Sequence, residues 1–152
     1  MTWASRVDTF AAVKNVFPHR FELAVYFADT DAGGVVYHAR YLEFFERARF
    51  ELFRALDAGP LNPSTENGGY VVSDVSAKFK KPARLGERIA VESTPLEVKR
   101  VSFRLRQRAV SASTGVVFCE AEVNVVRING DWKPAALSPG LLAGLKAGLP
   151  AS

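Results

Sequence analysis

Between Val25 and Leu56 the chain reads VYFADTDAGGVVYHARYLEFFERARFELFRAL, and the residues best spaced for chemistry lie here. Asp29 and Asp31 flank Thr30 directly before Ala32-Gly33-Gly34, and His38 follows at the foot of a long helical pattern. A carboxylate can attack an acyl group or take a proton from water. Unpaired main-chain amides at a helix N-terminus carry partial positive charge and stabilise an oxyanion. Together these parts suit acyl transfer or hydrolysis at a carbonyl pointed toward His38. The same residues have plain structural uses, since aspartates make side-chain-to-backbone turns, paired glycines permit positive φ, and His38 can cap or pack. Composition favours the turn-forming use for Asp29 and leaves Asp31 open between the two.

The elements that must position this corner follow from periodicity. Phe21, Leu23, Val25 and Phe27 alternate with Glu22, Ala24 and Tyr26, which predicts a half-buried strand that stops at Ala28. A helix is predicted from about His38 to Leu56. Glu43, Arg47, Glu51 and Arg54 form its polar stripe, with Glu43 and Arg47 in the favourable order. Tyr41, Phe44, Phe45, Ala48, Leu52, Ala55 and Leu56 cover a broad opposite arc, so the helix should be embedded. Glu46 and Arg49 fall on the shoulder, where they either pair with each other or place a carboxylate at a groove edge.

Gly59, Pro60, Pro63 and Gly68-Gly69 end the helix in a loop. A strand follows with Val71, Ser73, Val75, Ala77 and Phe79 on one face. Arg88 to Val98 is a third strand, in which Pro95 signals an edge or a bulge. Val101, Phe103, Leu105 and Ala109 mark a fourth, and Val117, Cys119, Ala121, Val123 and Val125 a fifth. Asn129-Gly130 signals a hairpin, with Trp132 to Ala135 returning as a short sixth strand. Ser138-Pro139 reads as the cap and first residue of a tail helix ending near Gly148. Before Pro18, Phe10, Val13 and Phe17 could share one side of a short helix. The sum is an α+β domain, one antiparallel sheet around one apolar helix, occupying residues 1–152 with its core at about 20–135.

Composition narrows the function. A chain of 152 residues, 48% hydrophobic and 24% charged, can bury a sizeable core. A net charge of +4 suits phosphorylated or acidic partners. Its basic residues are not interleaved with stacking aromatics, which argues against nucleic acid. One cysteine excludes an intrachain disulfide, and the two distant histidines, His19 and His38, make no convincing metal cluster. No apolar run approaches a bilayer span and the N-terminus has no secretory pattern, so the expected location is the cytoplasm. Neither a G-x-S-x-G elbow, a P-loop nor a G-x-G-x-x-G after a strand is present, so no nucleotide cofactor is expected. Lys99 and Arg100 open the fourth strand, where they serve either a solvated face or phosphates.

Written out, YFADTDAGGVVYHARYLEFFERAR resembles the 4-hydroxybenzoyl-CoA thioesterase-like branch of the hotdog-fold thioesterases, and within it the acyl-CoA thioesterases associated with the Tol-Pal system. The motif D-x-D-x-x-G-V-V-Y-H is followed by Y-x-x-x-F-E-x-A-R, and the later F-x-x-P-A-R-L-G-E and K-R-V-S-F fit in order, so the resemblance covers about Arg20 to Ala135. It implies a hotdog fold, with the sheet wrapped around the long helix, and a homodimer or homotetramer with active sites at subunit interfaces. The implied reaction is hydrolysis of a small acyl-CoA. Asp31 would be the catalytic carboxylate, and His38 would supply the amide that polarises the thioester carbonyl. Gly34, Tyr37, Glu46, Lys99, Arg100 and Ser102 would meet the substrate, with Lys99 and Arg100 holding coenzyme A phosphates from the neighbouring subunit. Phe27 stands where many relatives have a tyrosine, four residues before the aspartate. The competing readings are a hotdog hydratase or dehydratase acting on an acyl-CoA or acyl-carrier-protein substrate, and a non-catalytic acyl-CoA-binding module.

Overall fold

The computed structural model describes residues 15–58 and 68–151. In chain order the elements are β1 (His19–Ala24), a 3-10 turn (Phe27–Asp29), α1 (Arg40–Ala55), β2 (Gly69–Phe79), β3 (Arg88–Val98), β4 (Ser102–Ser111), β5 (Val117–Ile128) and α2 (Pro139–Ala147). The five strands form one antiparallel sheet in the order β1-β3-β4-β5-β2. This is the α+β arrangement the alternation predicts. The apolar side suggested for Phe10 and Val13, and the loop glycine and prolines at 59–63, lie outside the described residues.

Helix α1 packs on β1, β3 and β4. Tyr41, Phe44, Phe45, Ala48, Leu52 and Phe53 are its buried side. Phe53 was absent from the expected arc, and Ala55 is exposed. Burying each such large side chain contributes roughly 1.5–3 kcal/mol. The helix closes as Asp57 enters the left-handed region at φ 50° and the Ala58 N–H donates to Phe53 O at 3.0 Å, the pairing of a Schellman cap. On the solvent side Arg40 pairs with Glu43 at 2.9 Å and Arg54 with Glu51 at 3.5 Å, rather than Glu43 with Arg47.

Three strand expectations change. The first strand ends at Ala24, with Val25 buried and Phe27 80% exposed in the 3-10 turn, because Asp29 bends the backbone before the alternation can reach Phe27. In β2 a bulge between Val72 and Asp74 inserts Ser73, so Tyr70 and Val72 share the inward face with Val75 and Phe79 in place of Val71 and Ser73. The sixth strand is not formed. Asn129 Oδ1 accepts from the Asp131 and Lys133 amides at 2.9 and 3.0 Å, and the return leaves a single bridge between Ile128 and Pro134. Pro95 sits at a bulge in β3, beyond the last β1 partner at Ser93, where its missing N–H disturbs no ladder on that side. Helix α2 starts as the sequence predicts, with Ser138 Oγ accepting from the Leu141 N–H at 3.4 Å, and it buries Leu141 and Leu145 in the core.

Because α1 covers β1, β3 and β4, the inward face of edge strand β2 is left open. Val72, Val75 and Phe79 are 46%, 41% and 52% exposed, and across the groove Leu42 and Phe50 of α1 are each 41% exposed.

Candidate active site

The corner between β1 and α1 is a small hairpin. Thr30 bridges Val36, the Asp31 N–H donates to Val35 O at 2.9 Å, and the Tyr37 N–H donates to Asp29 O at 2.9 Å. Gly34, at φ +76°, makes the reversal that a side chain would strain. Hydrogen bonds from Val36 N–H to Ala83 O and Leu85 N–H to Gly34 O, at 2.9 and 3.4 Å, fasten this hairpin to the segment before β3.

The two aspartates divide their work. Asp29 is buried, its Oδ2 accepts from the Tyr26 N–H at 2.8 Å, and its Oδ1 meets Arg40 Nε at 3.3 Å. Arg40 also donates to Ala28 O, so Asp29 and Arg40 together lock the corner to the helix start. Asp31 is exposed. Its Oδ1 accepts from the Gly33 N–H at 2.8 Å, and its Oδ2 has no partner among the described residues. Both carboxylate oxygens of Asp29 are thus engaged within the corner, whereas Asp31 keeps one oxygen without a partner among the described residues.

Helix α1 begins at Arg40, two residues later than expected, because the Arg40 N–H closes a turn on Tyr37 O at 2.8 Å. The amides of His38 and Ala39 find no acceptor among the described residues. The His38 ring lies 4.6 Å from the Tyr37 ring and 5.8 Å from that of Phe79, so its side chain packs while its amide stays available. Behind it, Tyr41 and Cys119 are buried, and burial pushes the phenol and the thiol each up to about 12, with the Ala83 backbone pulling the phenol the other way. An unfolded chain loses these protons from about pH 9 to 10 upward while the native chain keeps them, so stability falls as pH rises through that window. Melting temperatures recorded from pH 8 to 11 should decline above about pH 9, and a flat profile contradicts the assignment.

Asp31, Gly34, Tyr37 and His38 thus share one corner. Glu46 lies farther along α1, roughly 9 Å from the helix start at 1.5 Å per residue. It lines two adjoining cavities of about 240 and 280 Å³ between α1 and β2, whose walls include Leu42, Phe45, Phe50 and Val72. Glu46 does not pair with Arg49. Arg49 Nη1 instead donates to Gln107 Oε1 at 2.9 Å, and Gln107 Nε2 donates to Phe45 O and Ser93 Oγ, both at 3.0 Å. Burial lowers the Arg49 pKa, and Glu46 opposes that shift. Sequence reasoning passed over Gln107 and Ser93, both fully buried, although Gln107 occupies an inward position of β4 between Leu105 and Ala109. A lone amide in an apolar alternation was the available signal.

Lys99, Arg100 and Ser102 lie at the β3–β4 turn. The Lys99 N–H donates to Ser102 O at 2.8 Å, Lys99 Nζ faces Glu97 at 3.4 Å, and Arg100 O accepts from Leu137. The corner adjoins the other end of β3, whose 11 residues span ~33 Å at about 3.3 Å each. One chain does not bring these groups to Asp31.

Residues 25–145 match the model of the thioesterase-like superfamily. The chain belongs to that superfamily. This thioesterase-like chain is 36% identical to the acyl-CoA thioester hydrolase YbgC of Escherichia coli over 128 residues, covering 84% of this chain and 95% of the relative. It is 38% identical to the acyl-CoA thioesterase YbgC of Haemophilus influenzae over 118 residues, 76% and 85% of the two chains. Among solved structures it is similar to a probable thioesterase from Bartonella henselae, at TM-score 0.68 and 35% identity over 79% of this chain and 97% of that one. The 1,4-dihydroxy-2-naphthoyl-CoA thioesterase from Synechocystis has TM-score 0.76 at 24% identity, covering 84% and 94%, a likeness of fold. This superfamily member has the hotdog fold the motifs implied. Among the described residues no helix is long and apolar enough to cross a membrane, and no group of acidic, histidine and cysteine side chains could hold a metal ion.

Proposed function

We infer that the chain is an acyl-CoA thioesterase, hydrolysing the thioester of a small acyl-CoA to a carboxylic acid and free coenzyme A. Asp31 carries the reading: a carboxylate with one oxygen tied to Gly33 and the other free, set beside two unpaired amides at the foot of α1. As general base, Asp31 takes a proton from water while the water oxygen bonds to the thioester carbon. As nucleophile, it bonds to that carbon itself and water later releases the acyl group. In both routes the carbonyl oxygen gains negative charge, the amides of His38 and Ala39 stabilise it, the C–S bond breaks and the thiolate leaves to be protonated. Gly34 shapes the hairpin, Tyr37 borders it, and Glu46 stands at the edge of the apolar cavities that suit an acyl chain.

The partner is a second copy of the chain. Among the described residues the outer edge of β2 has no strand partner, and this edge with its exposed apolar face supports pairing there, since both favour another strand and helix. A twofold axis through that edge reverses strand direction, which carries the partner's β3–β4 turn to the end of the sheet that holds Asp31. Lys99, Arg100 and Ser102 then serve the coenzyme A phosphates of the neighbouring site. This arrangement supports a homodimer, the resemblance extends the choice to a homodimer or homotetramer, and the single buried cysteine fits a cytoplasmic location.

A thiol-release assay over aliphatic, malonyl-like and aromatic acyl-CoAs tests the activity, because a hydratase yields no free thiol. In the same assay, Lys99→Ala with Arg100→Ala should raise KM by roughly tenfold or more with kcat held, through loss of charge-assisted phosphate contacts. The variant's KM should also depend less on salt. An unchanged KM removes the phosphate role from this turn.

A further inference from the structure

A cavity of about 760 Å³ lies beside the corner, between the segment leading into β3 and the β4–β5 turn. Lys81, Arg84 and Arg88 line it together with Ser113 and Thr114, against one carboxylate, Glu87. Lys81 and Arg84 face no carboxylate within ion-pair reach among the described residues, and Arg88 pairs with Glu22 at 3.7 Å. Several other cations on the sheet are paired. Lys80 and Arg108 share Glu120 at 3.6 and 3.7 Å, and Arg104 faces Glu122 at 3.5 Å. Three cations around one cavity raise the local positive potential, and two hydroxyl side chains add donors that need not be desolvated as charges. Pro82 and Val116 supply an apolar wall. The cavity is fixed to the catalytic corner of the same copy, since Arg84 bridges Val35 and the Leu85 N–H donates to Gly34 O.

We propose that this groove is a binding site for an organic phosphate of the nucleoside phosphate class, with Lys81, Arg84 and Arg88 on the phosphates and the apolar wall beside the nucleoside. Two sources share that chemistry. One is the phosphoadenosine end of a thioester substrate held in the same copy as Asp31, which rests on the acyl-CoA reading above; the other is a separate, free nucleotide.

The probe is adenosine 3′,5′-bisphosphate, titrated calorimetrically into the full chain at low and high salt. The wild type should bind it, more weakly as salt rises. Lys81→Ala with Arg84→Ala should weaken binding at least about tenfold, as loss of charge-assisted hydrogen bonds requires. Arg84→Gln alone should give a smaller loss in the same direction and guards against a folding defect, read by thermal melting. No binding by the wild type, or wild-type affinity in the Lys81/Arg84 variant, overturns the site. The source is read from kinetics. If the groove holds the substrate's own tail, the Lys81/Arg84 variant raises KM for acyl-CoA but not for the acyl-pantetheine thioester, which lacks phosphates. If it holds a separate nucleotide, both KM values stay unchanged while bisphosphate binding is still lost. Failure of the wild type to release thiol from any acyl-CoA would sink the thioesterase reading and leave the calorimetric result decisive for the groove.

Discussion

Asp31→Asn lowers kcat for acyl-CoA hydrolysis by about 10²–10⁴-fold, the usual contribution of a positioned acid–base group. The amide is nearly the same size, and its carbonyl oxygen can still accept from the Gly33 N–H that holds Asp31 Oδ1 at 2.8 Å. Side-chain exposure at this position means that no buried charge is removed, so melting should barely change. What is lost is the second oxygen's ability to take a proton from water or to attack the thioester carbon. KM should move little, because the carboxylate acts on the transition state and not on coenzyme A. Asp29→Asn is the control that separates chemistry from scaffold. Asp29 is buried and opposite Arg40, so its substitution should lower stability, with activity following the folded fraction. If Asp31→Asn turns over at near wild-type rate, Asp31 is not the catalytic carboxylate.

Gln107→Ala destabilises the native state by about 2–4 kcal/mol, which at this chain length is a fall in melting temperature of roughly 5–15 °C. Gln107 is fully buried and joins three elements through one amide: it donates to Phe45 O on α1 and to Ser93 Oγ on β3, and accepts from Arg49 Nη1. Truncation leaves Ser93 and Arg49 without those partners and opens a void among packed side chains. Arg49 is most affected, because burial already lowers its pKa and Gln107 supplies its hydrogen-bond acceptor. Gln107→Glu restores an acceptor for Arg49 but loses the donor to Phe45 O and Ser93 Oγ, so it should recover only part of the loss. Urea unfolding monitored by tryptophan fluorescence and circular dichroism measures both variants. A change below about 1 kcal/mol for Gln107→Ala would show that the link between helix and sheet is not made through this side chain.

The sheet and long helix were legible in the sequence because their signals are local. Alternation over Leu105 to Ala109 and Cys119 to Val125, the apolar arc of α1, and the Ser138-Pro139 start each state a period or a cap within a few residues. The division between Asp29 and Asp31 was partly legible for the same reason, since a D-x-D before paired glycines predicts a turn. Misreadings arose where one residue shifts a phase. Ser73 adds a residue to β2 and exchanges its faces, and nothing in VVSDVSA distinguishes a bulge from continued alternation. Asn129 spends its side chain on the turn amides and keeps Trp132 to Ala135 from extending the ladder, though the hairpin signal was present.

By itself, then, the sequence determined which residues could do the chemistry: a carboxylate before a glycine reversal and a helix start close behind it, all within ten positions of each other, where chain connectivity enforces proximity. Tertiary structure decided what those residues are free to do and what else they meet. It ties Asp29 to Arg40 and leaves one oxygen of Asp31 open, places Gln107 between helix and sheet, sets Lys99 at the far end of β3, and gathers Lys81, Arg84 and Arg88 around one cavity. Hydrogen bonds and charge clusters between residues far apart in the chain depend on strand order and register, and periodicity carries no information about either.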